Sequence, residues 1–147
     1  MPDLMYREAK SQDWNFVNLL NVNELKQHLN DLWPYQDDKA QFERIKRSKF
    51  YQAHSKIISY KNVDIGYISM KNNDNELVIE EFVLWYEDEE DVIAESVIQQ
   101  LVIEPLTKGS QVVSKARFND PNILVYERLG FVRYLETDNR VYLRKII

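Results

Sequence analysis

The sequence contains no cysteine, and its 147 residues include only three glycines and four prolines. The absence of cysteine excludes disulfides, thiolate catalysis and zinc sites built on cysteine. No apolar run approaches the roughly 18 residues that a membrane-spanning helix needs, so we expect no membrane segment. The chain also has no Gly/Ser linker, internal repeat or low-complexity tract. We therefore predict a single domain over residues 1–147.

Positive charge is scarce as well, with 19 basic against 24 acidic side chains and a formal net charge of −5. This balance argues against a nucleic-acid partner, because phosphate binding needs a positive footprint. The basic cluster at 44–49 (RIKRSK) fits a solvated helix face better than a phosphate contact, and His28 and His54 are too isolated to indicate a metal site. The first ten residues have no apolar segment, so we expect no secretion signal and a cytoplasmic protein.

Apolar periodicity predicts a mixed succession of strands and helices. The first helix is expected to begin with Ser11 as its N-cap, and the turn KN should join two strands in a hairpin. A mixed sheet flanked by helices is the natural packing for such a series. The predicted strands cover 4–9, 55–60, 63–70, 76–86, 111–118, 131–137 and 140–146, and the predicted helices cover 11–21, 23–33, 37–50 and 92–106 with one more after Asp120.

That last helix lies in residues 119–131 (NDPNILVYERLGF), which combine a turn pair, a short apolar helix and a glycine. Asp120 is a good N-cap, and Pro121 suits the first helical position because its missing N–H costs nothing there. Gly130 can take the left-handed conformation that ends a helix. On these residues alone the segment is an ordinary capped amphipathic helix, in which Tyr126 is a half-buried aromatic side chain.

The element order, with YERLGF in the next-to-last helix, resembles the GNAT superfamily of acyl-CoA-dependent N-acyltransferases over nearly the whole chain. The most specific part is VVSKARFNDPNILVYERLGF, in which Asn119 and Tyr126 stand at the spacing of the family motif and are followed by Gly130 and Phe131. DIGYISM, with Gly66, is similar to the third strand of the family, and LWPYQDD is loosely similar to aromatic segments near the acceptor site. The resemblance implies an α/β (α+β) fold with a mixed, mainly antiparallel sheet flanked by helices and a V-shaped splay between the fourth and fifth strands.

The same resemblance implies transfer of an acetyl or short acyl group from acetyl-CoA, as co-substrate, to a primary amine. Tyr126 would protonate the departing thiolate, and a phenol with a pKa near 10 can do this at modest cost. Asn119 would bond the pantetheine arm, and backbone N–H groups near Leu84, Trp85 and Tyr86 would hold the thioester carbonyl. The amine acceptor would be a small molecule or a peptide, and a homodimer is an assembly that the sequence allows.

The base for this reaction stays open between two adjacent residues of the fourth strand, Glu80 and Glu81. An unpaired carboxylate inside a sheet has a raised pKa, which suits a base that deprotonates the amine directly or through water. Strand alternation sends the two side chains to opposite faces, so only one of them is expected to reach the cleft. For each of them, a solvated position or a pair with lysine is an equally good interpretation.

The sequence departs from the family at the pyrophosphate-binding loop, whose six positions here are Glu89, Glu90, Asp91, Val92, Ile93 and Ala94. Val92 replaces a glycine that lets the backbone approach the phosphates, and residues 87–91 are five consecutive acids. The acids can complement the helix N-terminus, or they can point into water while the N–H groups remain free. A rival hypothesis follows, in which the domain has lost CoA binding and works by binding a partner.

Overall fold

The computed structural model describes residues 3–20, 54–85 and 90–147, with the side chain of Glu90 excepted. The predicted helices 23–33 and 37–50, with the cluster at 44–49, His28 and LWPYQDD, lie outside these residues. A 3₁₀ turn, Ser11–Asp13, precedes helical residues 14–20, which we label α1. The other elements are β1 (Leu4–Glu8), β2 (His54–Tyr60), β3 (Val63–Asn73), β4 (Glu76–Leu84), α2 (Glu90–Val97), a π-helical turn (Ile98–Ile103), β5 (Gln111–Arg117), α3 (Asn122–Arg128), β6 (Val132–Glu136) and β7 (Arg140–Ile146).

The strands form one seven-stranded sheet in the order β1-β2-β3-β4-β5-β7-β6. β4 and β5 are parallel and are the two strands on either side of α2, whereas every other neighbouring pair is antiparallel. The predicted mixed, mainly antiparallel sheet is therefore confirmed. Among the described residues, no helix is long and apolar enough to cross a membrane, and no three metal-binding side chains converge.

Apolar side chains on the two faces of the sheet form two clusters. On one face the strands pack against α2, the π-helical turn and α3, and this larger cluster includes Ile58, Ile68, Phe82, Ile93, Val97 and Tyr126. On the other face Val17 and Leu20 of α1 pack against Ile57 and Tyr67. Val17 and Leu20 are thus the inward positions of the first helix. Burial on both faces fixes the register of the central strands, because a one-residue slip would exchange their faces.

Local chemistry explains the chain reversals and one correction. Lys61 and Asn62 both adopt positive φ, 51° and 66°, as a two-residue hairpin turn requires, so the predicted KN turn is confirmed. The prediction that Ser11 is the N-cap is wrong, because the 3₁₀ turn begins after Lys10. Asp13 provides the cap by accepting the Lys10 N–H at 2.8 Å, and it also accepts two bonds from Arg7. The Arg7 bonds are the largest cause of the lowered pKa of Asp13.

The helix predicted over 92–106 begins two residues earlier, at Glu90, and leaves α-helical geometry at Ile98. The π-helical turn ends at Ile103, and the N–H of Glu104 donates to the Gln99 carbonyl at 3.0 Å. A π turn moves the following residues around the helix axis, so it changes which side chains face the sheet. Ile98 and Val102, which lie within this turn, are both fully buried.

The predicted divergence of β4 and β5 is present, and a β-bulge coincides with it. The two strands pair from Glu76–Gln111 to Ile79–Ser114, and no pairing follows although β4 continues to Leu84. On its other side β4 pairs Ile79 with Met70 and Glu81 with Ser69, which leaves Glu80 as an extra residue. Bulges bend and twist the strand that carries them. The bulge at Glu80 therefore accounts for the point where β4 turns away from β5.

Candidate functional site

The open edge of β4 presents backbone groups to the cleft between β4 and β5. The Trp85 N–H donates to the Ile65 carbonyl at 2.7 Å, which fixes this pair as hydrogen-bonded. Residues alternate along an antiparallel strand, so the N–H and C=O groups of Leu84 and Phe82 point away from β3. A side-chain contact agrees with this orientation, because Asn122 Nδ2 donates a hydrogen bond to the backbone carbonyl of Phe82 at 3.4 Å. Leu84 therefore directs a backbone N–H toward the cleft, whereas the N–H of Trp85 is already bonded.

The helix α3 forms one wall of this cleft, and its two ends follow the predicted chemistry closely. α3 begins at Asn122 with Pro121 as its N-cap, so the predicted places of Asp120 as N-cap and Pro121 as first helical residue are each one residue too early. Asp120 Oδ1 still accepts the Asn122 N–H at 2.8 Å. At the other end Gly130 has φ +95°, as predicted. Its N–H donates to the Glu127 carbonyl at 3.1 Å, and the Phe131 N–H donates to the Tyr126 carbonyl at 3.0 Å.

These two bonds form a Schellman motif, which usually brings a hydrophobic contact between the residue after the glycine and the last helical turn. Here that contact joins the rings of Tyr126 and Phe131, whose centroids are 5.2 Å apart. The spacing between tyrosine and glycine thus has a structural cause. The contact with Phe131 holds the Tyr126 ring in place, and the Tyr126 hydroxyl reaches the end of β5.

The Tyr126 side chain is 2% exposed, and it lines the cleft together with Ser114, Asp120 and Glu81. Its hydroxyl is hydrogen-bonded to the Ser114 side chain, at the last position where β5 pairs with β4. Burial, and then the nearby negative charge of Asp120, raise the pKa of Tyr126 well above its usual range, although the bond to Ser114 acts in the opposite direction. The phenol therefore keeps its proton at any physiological pH.

Glu80 and Glu81 both line the cleft, and their surroundings differ. Glu80 lies at the bulge, where its Oε1 is 3.7 Å from Lys115 Nζ on β5. Glu81 is only 8% exposed and stands opposite Ser69, whose hydroxyl is 2.6 Å from that of Ser55 on the next strand. The Glu81 carboxylate also acts electrostatically on Tyr126. Glu81 is thus the buried carboxylate of the pair, and Glu80 is the one engaged by a lysine.

Further polar residues of the cleft went unnoticed in the sequence. Ser114, Lys115 and Arg117 come from β5, and Arg140 comes from β7, where it stands opposite Arg117. No local pattern distinguishes them from ordinary strand residues, because only the cross-strand register brings them to the same place. Asn119, the predicted pantetheine contact, is half-buried just beyond β5. Its role stays a prediction, as do the roles of Tyr126 and the two glutamates.

The predicted pyrophosphate segment forms the first turns of α2. Val92 is helical and 54% exposed, whereas the side chains of Ile93 and Ala94 are fully buried against the sheet. Ile93 and Ala94 can therefore offer a ligand only their backbone groups. Tyr86 and Glu89 lie outside the described residues.

An arginine from α3 crosses to this segment. The Nη2 of Arg128 lies 3.9 Å from Asp91 Oδ2, and its Nε lies 3.5 Å from Glu95 Oε2. Asp91 and Glu95 are one turn apart, so both face α3. The acidic start of α2 thus has a cation beside it that the sequence did not reveal.

No protein-family model matches the chain, and no curated protein matches it by sequence. Solved structures do match it over almost its full length. An acetyltransferase of the GNAT family from Streptococcus agalactiae has a TM-score of 0.73 at 14% identity, covering 98% of this chain and 95% of that one. The PaiA N-acetyltransferase from Thermoplasma acidophilum, in complex with coenzyme A, has a TM-score of 0.69 at 10% identity, covering 98% and 99%.

A third structure, YncA from Salmonella typhimurium, is a putative acetyltransferase solved with acetyl-CoA. Its TM-score is 0.57 at 12% identity, covering 98% of this chain and 94% of that one. The chain therefore shares its overall architecture with these proteins. The chain has the fold of the GNAT superfamily, as the sequence resemblance implied.

Proposed function

We propose that the protein is an N-acyltransferase, which moves an acetyl or other short acyl group from acyl-CoA to a primary amine. One observation carries this proposal. The cleft between β4 and β5 brings together an outward-facing backbone N–H at Leu84, a buried phenol at Tyr126 and a buried carboxylate at Glu81. An acyl transfer needs these three kinds of group, namely a donor for the carbonyl oxygen, a proton donor and a base.

The residues of the cleft suit the pantetheine arm of acyl-CoA. Beyond Ile79 the edge of β4 that faces β5 pairs with no strand in the part of the chain that the structure describes, so an extended arm with amide groups can occupy the place of one. The Asn119 side chain would hold this arm, and the Leu84 N–H would bond the thioester carbonyl at its end. The diphosphate would lie at the first turn of α2, where Arg128 offsets the charge of Asp91.

The reaction would proceed by direct attack. The amine nitrogen forms a bond to the thioester carbon, the C–S bond breaks, and the sulfur leaves with its electron pair. Tyr126 would donate a proton or a hydrogen bond to that sulfur, and Glu81 would take the proton that the amine loses, directly or through water. We assign the base to Glu81 because its carboxylate is buried in the cleft and acts electrostatically on Tyr126.

The acceptor in this proposal is a small molecule or a peptide with a primary amine. Charged side chains of both signs line the cleft, three of them basic (Lys115, Arg117, Arg140) and three acidic (Glu80, Glu81, Asp120). The net charge of the whole chain is therefore a poor guide to the acceptor, because the local field of the cleft is close to balanced.

Calorimetric titration with CoA and with acetyl-CoA tests the first requirement of this function. Thiol release from acetyl-CoA in the presence of a panel of amines tests the second. The chain has no cysteine, so a thiol reagent reports CoA release without any background from the protein. We expect both ligands to bind and at least one amine to accelerate thiol release. Absence of CoA binding would refute the transferase proposal and leave the partner-binding hypothesis.

A further inference from the structure

We propose that Arg128 binds a phosphate group of the acyl donor, with Glu95 as the residue that positions its guanidinium and Asp91 as a carboxylate that the phosphate displaces. The inference rests on the proposed function, since it concerns how this chain holds acyl-CoA despite its acidic segment. It starts from the two ion pairs that join α3 to the first turns of α2.

The two contacts of Arg128 are unequal and reach different nitrogens of the guanidinium. Glu95 approaches the Nε edge at 3.5 Å, and Asp91 approaches Nη2 at the longer distance of 3.9 Å. All three side chains are largely in solvent, with 46% exposure for Arg128, 69% for Asp91 and 44% for Glu95. Exposed ion pairs at such distances contribute little to stability, so the pair with Asp91 is easily broken.

A phosphate is a better partner than Asp91 for the Nη groups of Arg128. Arginine offers five N–H donors in a planar fork, and it bonds phosphate oxygens in pairs. Arg128 already places this fork beside the first turn of α2, where N–H groups that have no partner within a helix, together with the helix dipole, favour an anion. Glu95 can hold Nε while the two Nη groups bond phosphate oxygens in place of Asp91. The arginine would then neutralise part of the acidic segment and contact the ligand at once.

A simpler account, in which the acids only repel the ligand, predicts the opposite effect of Glu95→Gln on CoA affinity. If Asp91 and Glu95 only repel phosphate, the changes Asp91→Asn and Glu95→Gln should both tighten CoA binding. If Glu95 positions Arg128, Asp91→Asn should tighten binding several-fold, whereas Glu95→Gln should weaken it several-fold despite the loss of a negative charge. The sign of the Glu95 effect therefore separates the two accounts.

The experiment is calorimetric titration of each variant with two probes, CoA and S-acetylpantetheine, which lacks every phosphate. Arg128→Ala should weaken CoA binding by about tenfold or more, because a charged hydrogen-bonding partner is lost, and leave acetylpantetheine binding unchanged. Arg133→Ala is the matched control, because Arg133 is equally exposed and pairs with Glu127 of α3 and Glu136 of β6, away from α2. It should leave both affinities unchanged.

Three results would overturn the inference. An unchanged CoA affinity in Arg128→Ala would remove the phosphate contact, and equal losses for CoA and acetylpantetheine would make Arg128 a structural residue. Tighter CoA binding in Glu95→Gln would leave repulsion as the whole effect of that acid. Wild-type protein that binds CoA keeps the proposed function in all three cases, and wild-type protein that does not bind CoA refutes both proposals together.

Discussion

The two ends of the cleft differ in the groups that would hold the two parts of the proposed acyl-CoA ligand, its acyl group and its phosphates. At the acyl end, the bulge at Glu80 and the Schellman motif at Gly130 use backbone geometry to place Leu84 and Tyr126. At the phosphate end, α2 begins as a regular helix with Val92 in its first turn, and the exposed side chain of Arg128 reaches it from α3. The acyl end is therefore fixed by the main chain, and the phosphate end by exposed side chains.

This difference has consequences for how each end responds to change. Groups set by backbone hydrogen bonds and buried packing cost several interactions to move, whereas exposed ion pairs cost little. We expect substitutions at the acyl end to act mainly on turnover and stability. At the phosphate end we expect them to act mainly on affinity, by smaller factors.

Replacing Tyr126 with Phe should have the largest effect, because it removes the hydroxyl and retains the ring that packs on Phe131. Turnover should fall about 10²- to 10⁴-fold, with little change in affinity for acetyl-CoA. Steady-state thiol release at saturating amine, combined with calorimetry, measures both quantities. An unchanged rate would make Tyr126 a structural residue and would leave the acyl end without a proton donor.

The raised pKa of Tyr126 adds a pH dependence to that comparison. A phenol whose pKa lies above its ordinary value near 10 stays protonated through neutral and mildly alkaline pH. The kcat of the wild-type protein should therefore show no loss from Tyr126 ionisation up to about pH 10. A fall in kcat with a midpoint near 9 that disappears in Tyr126→Phe would show that the hydroxyl is far more solvated than its burial indicates.

Replacing Glu81 with Gln should lower kcat by about 10- to 100-fold at neutral pH, less than the Tyr126 effect, because water can also take the proton from the amine. Glu80→Gln is the matched control, since it makes the same chemical change one residue earlier at the bulge. It should alter kcat less than threefold or so. The pH profile of kcat distinguishes a base from a structural residue, because only loss of the base should shift the acidic limb. A larger loss in Glu80→Gln would reverse the assignment.

Much of this site follows from the sequence, for reasons that are local. The turn chemistry of Asp120 and Gly130 lies within a few residues of Tyr126, so the helix and its ends could be predicted. The divergence of β4 from β5 came from the family resemblance, and the bulge that accompanies it has no clear local signal. The meeting of Ser114 with the Tyr126 hydroxyl depends on strand register, and the pairing of Arg128 with Asp91 depends on the packing of two helices. Such long-range contacts do not follow from local patterns.

The importance of backbone geometry at the acyl end can be tested by comparing two glycines with nearly the same φ. Replacing Gly130 (φ +95°) or Gly109 (φ +96°) with Ala should destabilise the protein by about 1–2 kcal/mol in each case, because a left-handed φ disfavours a side chain. A new Cβ at Gly130 would meet only the flexible end of Lys145, and one at Gly109 would meet nothing within 4 Å. Thermal melts should therefore show similar shifts, of about 2–4 °C per kcal/mol.

Turnover should separate the two variants. Only Gly130→Ala disturbs the bonds that end α3, so it alone should lower kcat, by a few-fold. Equal kcat values would mean that Tyr126 keeps its position without the Schellman motif. The acyl end would then depend on packing and not on the main chain.

The smallest effect is expected at Val92, where the sequence suggested that a missing glycine weakens phosphate binding. In the structure Val92 is already helical and its side chain is exposed, so positive φ is not needed there and only bulk can interfere. Val92→Ala and Val92→Gly should then tighten CoA binding by similar, small factors of about 2 to 5, which correspond to less than about 1 kcal/mol. Helix propensity predicts opposite effects on stability, with Ala stabilising α2 by about 0.5 kcal/mol and Gly destabilising it by a similar amount. If Val92→Gly bound CoA far more tightly than Val92→Ala, the first turn of α2 would have to rearrange around the phosphates. Backbone geometry would then govern the phosphate end as it governs the acyl end.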